Sequence, residues 1–439
     1  MLDAYLYLGK RSPFGRYGGA LSGVRPDDLL GNVMKAVVDE SPFEAEDIDD
    51  VIIGCGNQGG EDARCVARHA LLAGGLPESV PGQVLQRNCA SGLSAVVSAA
   101  HAVTVGEGDL FIAGGVESMS RAPFVVGKNE TPFARNFDVY DSTIGSRFPN
   151  KKIKEEYGDW AMPQTADNLA QDYQISREEA DTFALASQEK YAAGKEAGFF
   201  DGEITPITVP GGRKQPDVTV DVDEHPRAGT TMEMLAKLRV LNEDGVTTAG
   251  NASGVNDGAV AMFIGSRAMG EKAGLKPVAK IISSASAGVP PRIMGIGPVP
   301  ASQKALERAG LTMDDMDVVE INEAFAAQVL SCLKGLGQSF DDSRVNMNGG
   351  AIALGHPLGA SGPRIFLTAA RQLEKTGGKY ALATLCVGVG QGTAVVMAAQ
   401  QALAQLRTAQ FRTEQVGVDA PLPQIGVLNA LVAELLHHG

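Results

Sequence analysis

Aromatic residues are scarce, at 5% of 439 positions with a single tryptophan. Cysteine is scarce too. The five thiols, Cys55, Cys65, Cys89, Cys332 and Cys386, are odd in number and form no CxxC pair. That excludes a disulfide framework and a zinc ribbon, and fits reduced thiols in a cytoplasmic protein. Positive charge is short: 38 Lys and Arg stand against 52 Asp and Glu, a formal net charge of -14. General nucleic-acid affinity needs clustered basic residues and is not expected. No apolar run approaches the ~20 residues needed to span a bilayer, so no membrane contact is expected. No metal site is expected either. Residues 1–7 lack a basic region ahead of an apolar core, and read as a first strand rather than a signal peptide.

Small residues are what the chain has in plenty. It holds 53 glycines and is 44% hydrophobic, enough for a large core and more than one domain. Apolar stretches at 51–54, 84–85, 110–115, 259–265, 279–285, 318–321 and 380–385 read as strands. Between them, 27–38, 63–73, 92–105, 301–309, 324–336 and 364–375 carry helical patterns. Such alternation signals an α/β layered fold. Residues 121 to about 247 are more polar, hold a helical stretch at 177–198, and look like an insertion on the core. Ala90-Ser91-Gly92 and Ala360-Ser361-Gly362 each open a helix followed by a glycine turn, an apolar strand and more glycine. This is either a weak internal repeat, placing Cys89 and the His356 loop at related helix entrances around one cleft, or a coincidence of common residues. Residues 401–439 fit no pattern, leaving a docking helix, a partner contact or a non-native extension open.

The run 346–362 (NMNGGAIALGHPLGASG) holds His356 in a glycine-rich turn leading into a helix, a rigid position suited to an acid or base. Cys89 sits at a strand-to-helix turn, where a helix N-terminus would stabilise a thiolate. Cys386 follows an apolar strand and precedes glycines at 388, 390 and 392. It is a candidate acid or base once its pKa is lowered, and the glycine N–H groups are oxyanion donors. Asn322 lies between a strand and a helix, either as an ordinary N-cap or as an amide aimed at an oxyanion or a water. Two cysteines and a histidine beside small residues form a candidate acyl-transfer site.

Together these segments resemble the thiolases. The matching stretches are Asn88-Cys89-Ala90-Ser91-Gly92, Gly114-Gly115-Val116-Glu117-Ser118-Met119-Ser120, residues 249–258, Asn322-Glu323-Ala324-Phe325, the His356 run and Cys386-Val387-Gly388. They occur in order over about residues 3 to 397. The resemblance implies an α/β thiolase fold of two similar halves in five layers (αβαβα) with an inserted loop domain. The halves would be 1–120 plus 247–275 and 276–400, the loop domain 121–246, and the tail 401–439 would lie outside. It implies that Cys89 takes the acyl group and His356 activates it. Cys386 would move the proton of the acetyl carbon. Asn322 (through a water) and His356 would hold the acetyl thioester oxygen, and the N–H groups of Cys89 and Gly388 the acyl oxygen. Ser253 and Arg227 match coenzyme A contacts, and Met162 matches a residue lining the pantetheine and acyl pocket. Coenzyme A is then a substrate, no cofactor is needed, and a homodimer or homotetramer is implied. The histidine that precedes this methionine in acetoacetyl-forming thiolases is replaced by Ala161. Residues 56–62, 122–124 and 147–148 look closer to degradative thiolases, those acting on 3-oxoadipyl-CoA above all. Arg64, Arg68 and Arg147 are candidates to pair with a distal carboxylate, or are surface residues. The alternatives are a biosynthetic acetoacetyl-CoA thiolase, a related condensing enzyme, and a thiolase-like acyl-CoA or lipid binder without catalysis.

Overall fold

A computed structural model describes residues 1–212 and 215–402; the expectations for the tail beyond residue 402 lie outside them. The chain begins with β1 (Ala4–Arg11) and the short β2 (Gly15–Arg16), then α1 (Pro26–Asp39). Proline in the first turn, with Asp27 and Asp28 beside it, suits the positive end of that helix. β3 (Asp50–Gly54), α2 (Val66–Ala73), β4 (Gly82–Leu85), α3 (Ser91–Val105) and β5 (Leu110–Ser118) follow. The polar stretch contains a hairpin of β6 (Phe124–Val126) and β7 (Val139–Asp141), then α4 (Lys151–Tyr157), α5 (Met162–Tyr173) and α6 (Arg177–Glu196). A second hairpin, β8 (Ile207–Val209) with β9 (Val218–Val220), and α7 (Met232–Ala236) complete it. The core resumes with β10 (Asn256–Gly265), α8 (Arg267–Ala273), β11 (Ala279–Gly288), α9 (Pro298–Ala309) and β12 (Val318–Ile321). It ends with α10 (Ala326–Gly335), α11 (Ala351–Leu354), α12 (Leu358–Thr376), β13 (Tyr380–Val387) and β14 (Gln391–Ala399).

The internal repeat is real. The main sheet runs β12-β13-β14-β11-β1-β10-β5-β3-β4, with β2 beside β10. From β1 outward the pairings are antiparallel, antiparallel, parallel, parallel; from β11 outward they are antiparallel, antiparallel, parallel. The two sets join where Ala4, Tyr5 and Leu6 pair with Ile281, Lys280 and Ala279. Helices α3 and α12 lie between them, touching each other and strands of both sets, while α1 covers β10 and α9 covers β11 and β14. The order is therefore helix, sheet, helix, sheet, helix. Strands covered on both faces have no need to alternate, and β5 and β10 are buried throughout.

The central layer explains the small residues. A Cβ on Gly92 would stand 2.1 Å from the Gly359 carbonyl, and one on Gly115 would stand 1.9 Å from it. That carbonyl is free to point inward because Pro363, four residues on, has no N–H to return to it. Among the described residues one helical stretch, 88–105, is long and apolar enough to cross a membrane, contrary to the sequence reading, yet 61% of it is buried inside the fold, as in the core helix of a globular protein.

Several boundaries differ from the sequence reading. α2 starts at Val66 because Arg64 and Cys65 take left-handed backbone (φ 60 and 71). α12 starts at Leu358, ahead of its internal proline. β14 and α5 were not anticipated: β14 follows a glycine run that reads as loop, and α5 carries polar residues on most of its surface. The polar insertion is pinned to β1 by buried Arg11, which is bidentate to Asp223 at 2.6 and 2.9 Å and also paired with Glu203.

Candidate active site

Cys89 stands on a strained turn. Asn88 before it has φ 43, and α3 begins two residues later, with Ala90 as its N-cap. The thiol is therefore ahead of the helix terminus rather than on it. Burial pushes its pKa up to about 11, and the buried Glu117 charge adds to this against the pull of the Gly388 and Cys89 N–H groups. The backbone N–H groups favour the thiolate as expected, but burial outweighs them, so at neutral pH Cys89 rests as a thiol. Cys386 departs in the same way. It stands at the end of β13, one residue before the last, but it is buried there, and burial with the neighbouring Cys89 holds its pKa well above the ordinary value.

Gly388 faces Cys89. Its N–H is directed at the sulfur, and its carbonyl accepts from Asn88 Nδ2 at 3.1 Å. Val389, the next residue, has φ 67, so the chain leaves β13 in a sharp turn just beyond Gly388. Met162, at the start of α5, brings its sulfur to 4.0 Å from where a Gly388 Cβ would stand.

His356 is buried and held at two points. Its N–H donates to Asn256 Oδ1 at 2.8 Å and its Nδ1 meets Ser361 Oγ at 2.6 Å; the Asn322 amide lies alongside, 3.4 Å from Nδ1. Ser361 is also 2.9 Å from the Pro357 carbonyl, which only a hydroxyl proton can satisfy. The serine oxygen then accepts from Nδ1–H, which leaves Nε2 unprotonated and without a protein partner. Burial, reinforced by the Arg364 charge, lowers the His356 pKa to about 4, so the imidazole is a neutral base.

Asn322 is no N-cap: α10 begins at Ala326, and Phe325 precedes it. Its backbone is fixed to β13 by a 3.0 Å bond to the Thr384 carbonyl, and its Oδ1 is buried without a protein partner. Glu323 locks this loop, accepting from Ser187 Oγ at 2.6 Å, Asn346 Nδ2 at 2.8 Å and the Ile352 N–H at 3.1 Å. The Ser253 N–H donates to the Ala324 carbonyl of the same loop at 3.0 Å. Arg227 is exposed, two residues from His225, which packs against Gly254. Cys89, Gly388 and Cys386 thus form one group, and His356 with Asn322 a second. The close approach of Gly92 to Gly359 joins them.

Three contributors carried no role in the sequence reading. Asn256 fixes the His356 backbone while donating to the Gly15 carbonyl at 2.9 Å. Ser361 sets the tautomer. Glu117 accepts from the N–H groups of Gly56, Asn57 and Gly359 at 2.8, 3.0 and 2.9 Å, tying the loop after β3 to the entrance of α12. Burial pushes its pKa up to about 7 against those three donors. All three residues lie within the quoted motifs, but the partners of Asn256 and Glu117 are remote in sequence. Cys55, Asp62 and Glu117 bring ligand-type atoms within 4.8 Å of one another. Both Glu117 oxygens already serve as acceptors, however, and the Cys55 pKa is pushed well up by burial, so the group reads as a clamp rather than a metal site.

A neutral histidine base, a thiol beside an inward-facing N–H and a second buried thiol are parts for moving an acyl group through a covalent thioester. Comparison with known proteins agrees. The thiolase N-terminal domain family matches residues 6–268, and the thiolase C-terminal domain family matches residues 275–399. The beta-ketoadipyl-CoA thiolase of Pseudomonas aeruginosa is 56% identical over 389 residues, covering 88% of this chain and 96% of that protein. The 3-oxoadipyl-CoA/3-oxo-5,6-dehydrosuberyl-CoA thiolase of Escherichia coli K12 is 52% identical over 399 residues, covering 90% and 99%. The crystal structure of human mitochondrial 3-ketoacyl-CoA thiolase in complex with CoA superposes with TM-score 0.83 at 41% identity, covering 91% of this chain and 98% of that one. With both halves matched and the layered fold shared, the chain belongs to the thiolase family.

Proposed function

We propose that this thiolase cleaves 3-oxoadipyl-CoA with coenzyme A, giving acetyl-CoA and succinyl-CoA, as a step of aromatic breakdown. The names and 52–56% identities of its relatives support the substrate, as does Ala161 where acetoacetyl-forming thiolases hold histidine. The observation that carries the chemistry is the unprotonated, unpartnered Nε2 of His356 in a site with two thiols. His356 takes the Cys89 proton as the sulfur attacks the C3 carbonyl. The bond between C2 and C3 breaks, and Cys386 protonates the departing acetyl-CoA carbanion. The proton that His356 took returns to Cys386 as acetyl-CoA leaves, and His356 then takes the thiol proton of the incoming coenzyme A as it attacks the acyl-enzyme and delivers it to the departing Cys89 sulfur. The Cys89 and Gly388 N–H groups hold the acyl oxygen. Asn322, through a water, and His356 hold the acetyl thioester oxygen. Ser253, Arg227 and Met162 receive coenzyme A, which is a substrate, and no further cofactor enters. The same reading gives a cytoplasmic homodimer or homotetramer with halves at 1–120 plus 247–275 and 276–400, and a loop domain at 121–246.

The His356 shift has a consequence for pH. The base is unprotonated above its lowered pKa of about 4. Thiolysis kcat/KM is therefore expected to stay level as pH falls from about 8 to about 5. A rate titrating with the ordinary histidine value near 6.5 contradicts the assignment. The substrate reading is tested by kcat/KM for thiolysis of 3-oxoadipyl-CoA, 3-oxohexanoyl-CoA and acetoacetyl-CoA. The first is expected to be the best substrate. Acetoacetyl-CoA in first place would overturn the substrate while leaving the thiolase assignment intact.

A further inference from the structure

The stretch between β7 and α4 places one cation where the chemistry described so far does not use it. Arg147 is half-buried. Its Nη1 donates to the Gly145 carbonyl at 2.9 Å and its Nη2 to Asn57 Oδ1 at 3.0 Å, both neutral acceptors. Among the described residues no carboxylate lies within ion-pair distance of it. A guanidinium has five N–H donors, so others remain for a further acceptor.

Its position is fixed relative to the nucleophile. Asn57 Nδ2 donates to the Ser142 carbonyl at 2.9 Å, which turns Oδ1 toward the arginine. The Asn57 N–H is held by Glu117 at 3.0 Å. Gly56 packs directly under the nucleophile turn, where a Cβ would stand 3.3 Å from the Asn88 carbonyl and 3.3 Å from Leu358 Cβ. One side chain and one glycine therefore separate the Arg147 guanidinium from the turn that carries Cys89. Of the other arginines here, Arg68 donates to the Val80 and Glu78 carbonyls, Arg121 pairs with Glu61, and Arg64 is exposed. Arg87, just before Asn88, also has neutral side-chain partners, but its Nη1 is already engaged by the Ser286 and Thr393 hydroxyls.

We propose that Arg147 binds the distal carboxylate of the substrate and makes the enzyme selective for a 3-oxo-dicarboxylyl-CoA. This rests on the 3-oxoadipyl-CoA reading above. A four-carbon succinyl group on Cys89 spans roughly 4 Å from thioester carbon to carboxylate carbon by ordinary bond lengths, so the cation that meets it must stand close to the nucleophile turn. A half-buried cation with neutral partners gains most from an anion, and a planar guanidinium matches a carboxylate in two parallel bonds.

The test compares kcat/KM for 3-oxoadipyl-CoA with that for 3-oxohexanoyl-CoA, which is of equal length and ends in a methyl group. The ratio is read within each protein, so a loss of folded enzyme cancels. Arg147→Gln is expected to lower the ratio about tenfold or more, and Arg147→Lys to restore part of it. Asn57→Asp places a carboxylate against the guanidinium and is expected to lower the ratio with Arg147 still present. A ratio unchanged in Arg147→Gln, or equal losses on both substrates, overturns the role of Arg147. A wild-type enzyme that prefers 3-oxohexanoyl-CoA overturns the substrate reading itself, whatever the variants do.

Discussion

Cys89→Ser is expected to lose thiolysis and acyl-enzyme formation together, by about four orders of magnitude or more in kcat. A serine hydroxyl is far harder to ionise than the thiol, which itself sits near 11 and relies on His356. The turn and the Gly388 N–H remain in place, so the loss is chemical rather than architectural. Stopped-flow acylation and steady-state thiolysis would both report it. A serine variant within tenfold of wild type would remove Cys89 from the centre of the mechanism.

Cys386→Ala is expected to separate the two half-reactions. Acylation of Cys89 by acetyl-CoA needs His356 and the N–H groups, all of which survive the change. Breaking or making the carbon–carbon bond needs a proton at the acetyl carbon, and losing a positioned acid or base costs ~10²–10⁴ in rate. The variant should therefore exchange acetyl groups between acetyl-CoA and coenzyme A at close to the normal rate while thiolysis falls by about that factor. Alanine fits the site, because Cys386 is packed among Ala166, Met294, Ala324 and Phe325. Equal loss of exchange and thiolysis would assign Cys386 to acylation instead.

Much of this site was legible in the chain. The two small-residue helix entrances, Ala90-Ser91-Gly92 and Ala360-Ser361-Gly362, are a local signal of helices whose backbones meet, and α3 and α12 do meet there. His356 stood out because few histidines sit among glycines. Protonation states were not legible. The sequence suggests a thiolate at a helix N-terminus, but that terminus lies two residues beyond Cys89, and burial outweighs the donors that face it. Nor could the sequence show that Asn256, Glu117 and Ser361 position the histidine loop. Asn256 reaches His356 across 100 residues and Glu117 reaches Gly359 across 242, contacts that exist only once the two halves close on each other. Arg147 is a similar case: of Arg64, Arg68 and Arg147, the first is exposed, the second is tied to the Val80 and Glu78 carbonyls, and the third reaches Asn57 beside the turn that carries Cys89.

The central claim is that Cys89, rather than Cys386, carries the acyl group. Brief treatment of the wild-type enzyme with acetyl-CoA, followed by acid quench and peptide mass spectrometry, tests it most directly. The acetyl adduct is expected on the peptide containing Cys89, and it should be absent from that peptide in His356→Ala. An adduct confined to the peptide containing Cys386 would contradict the account.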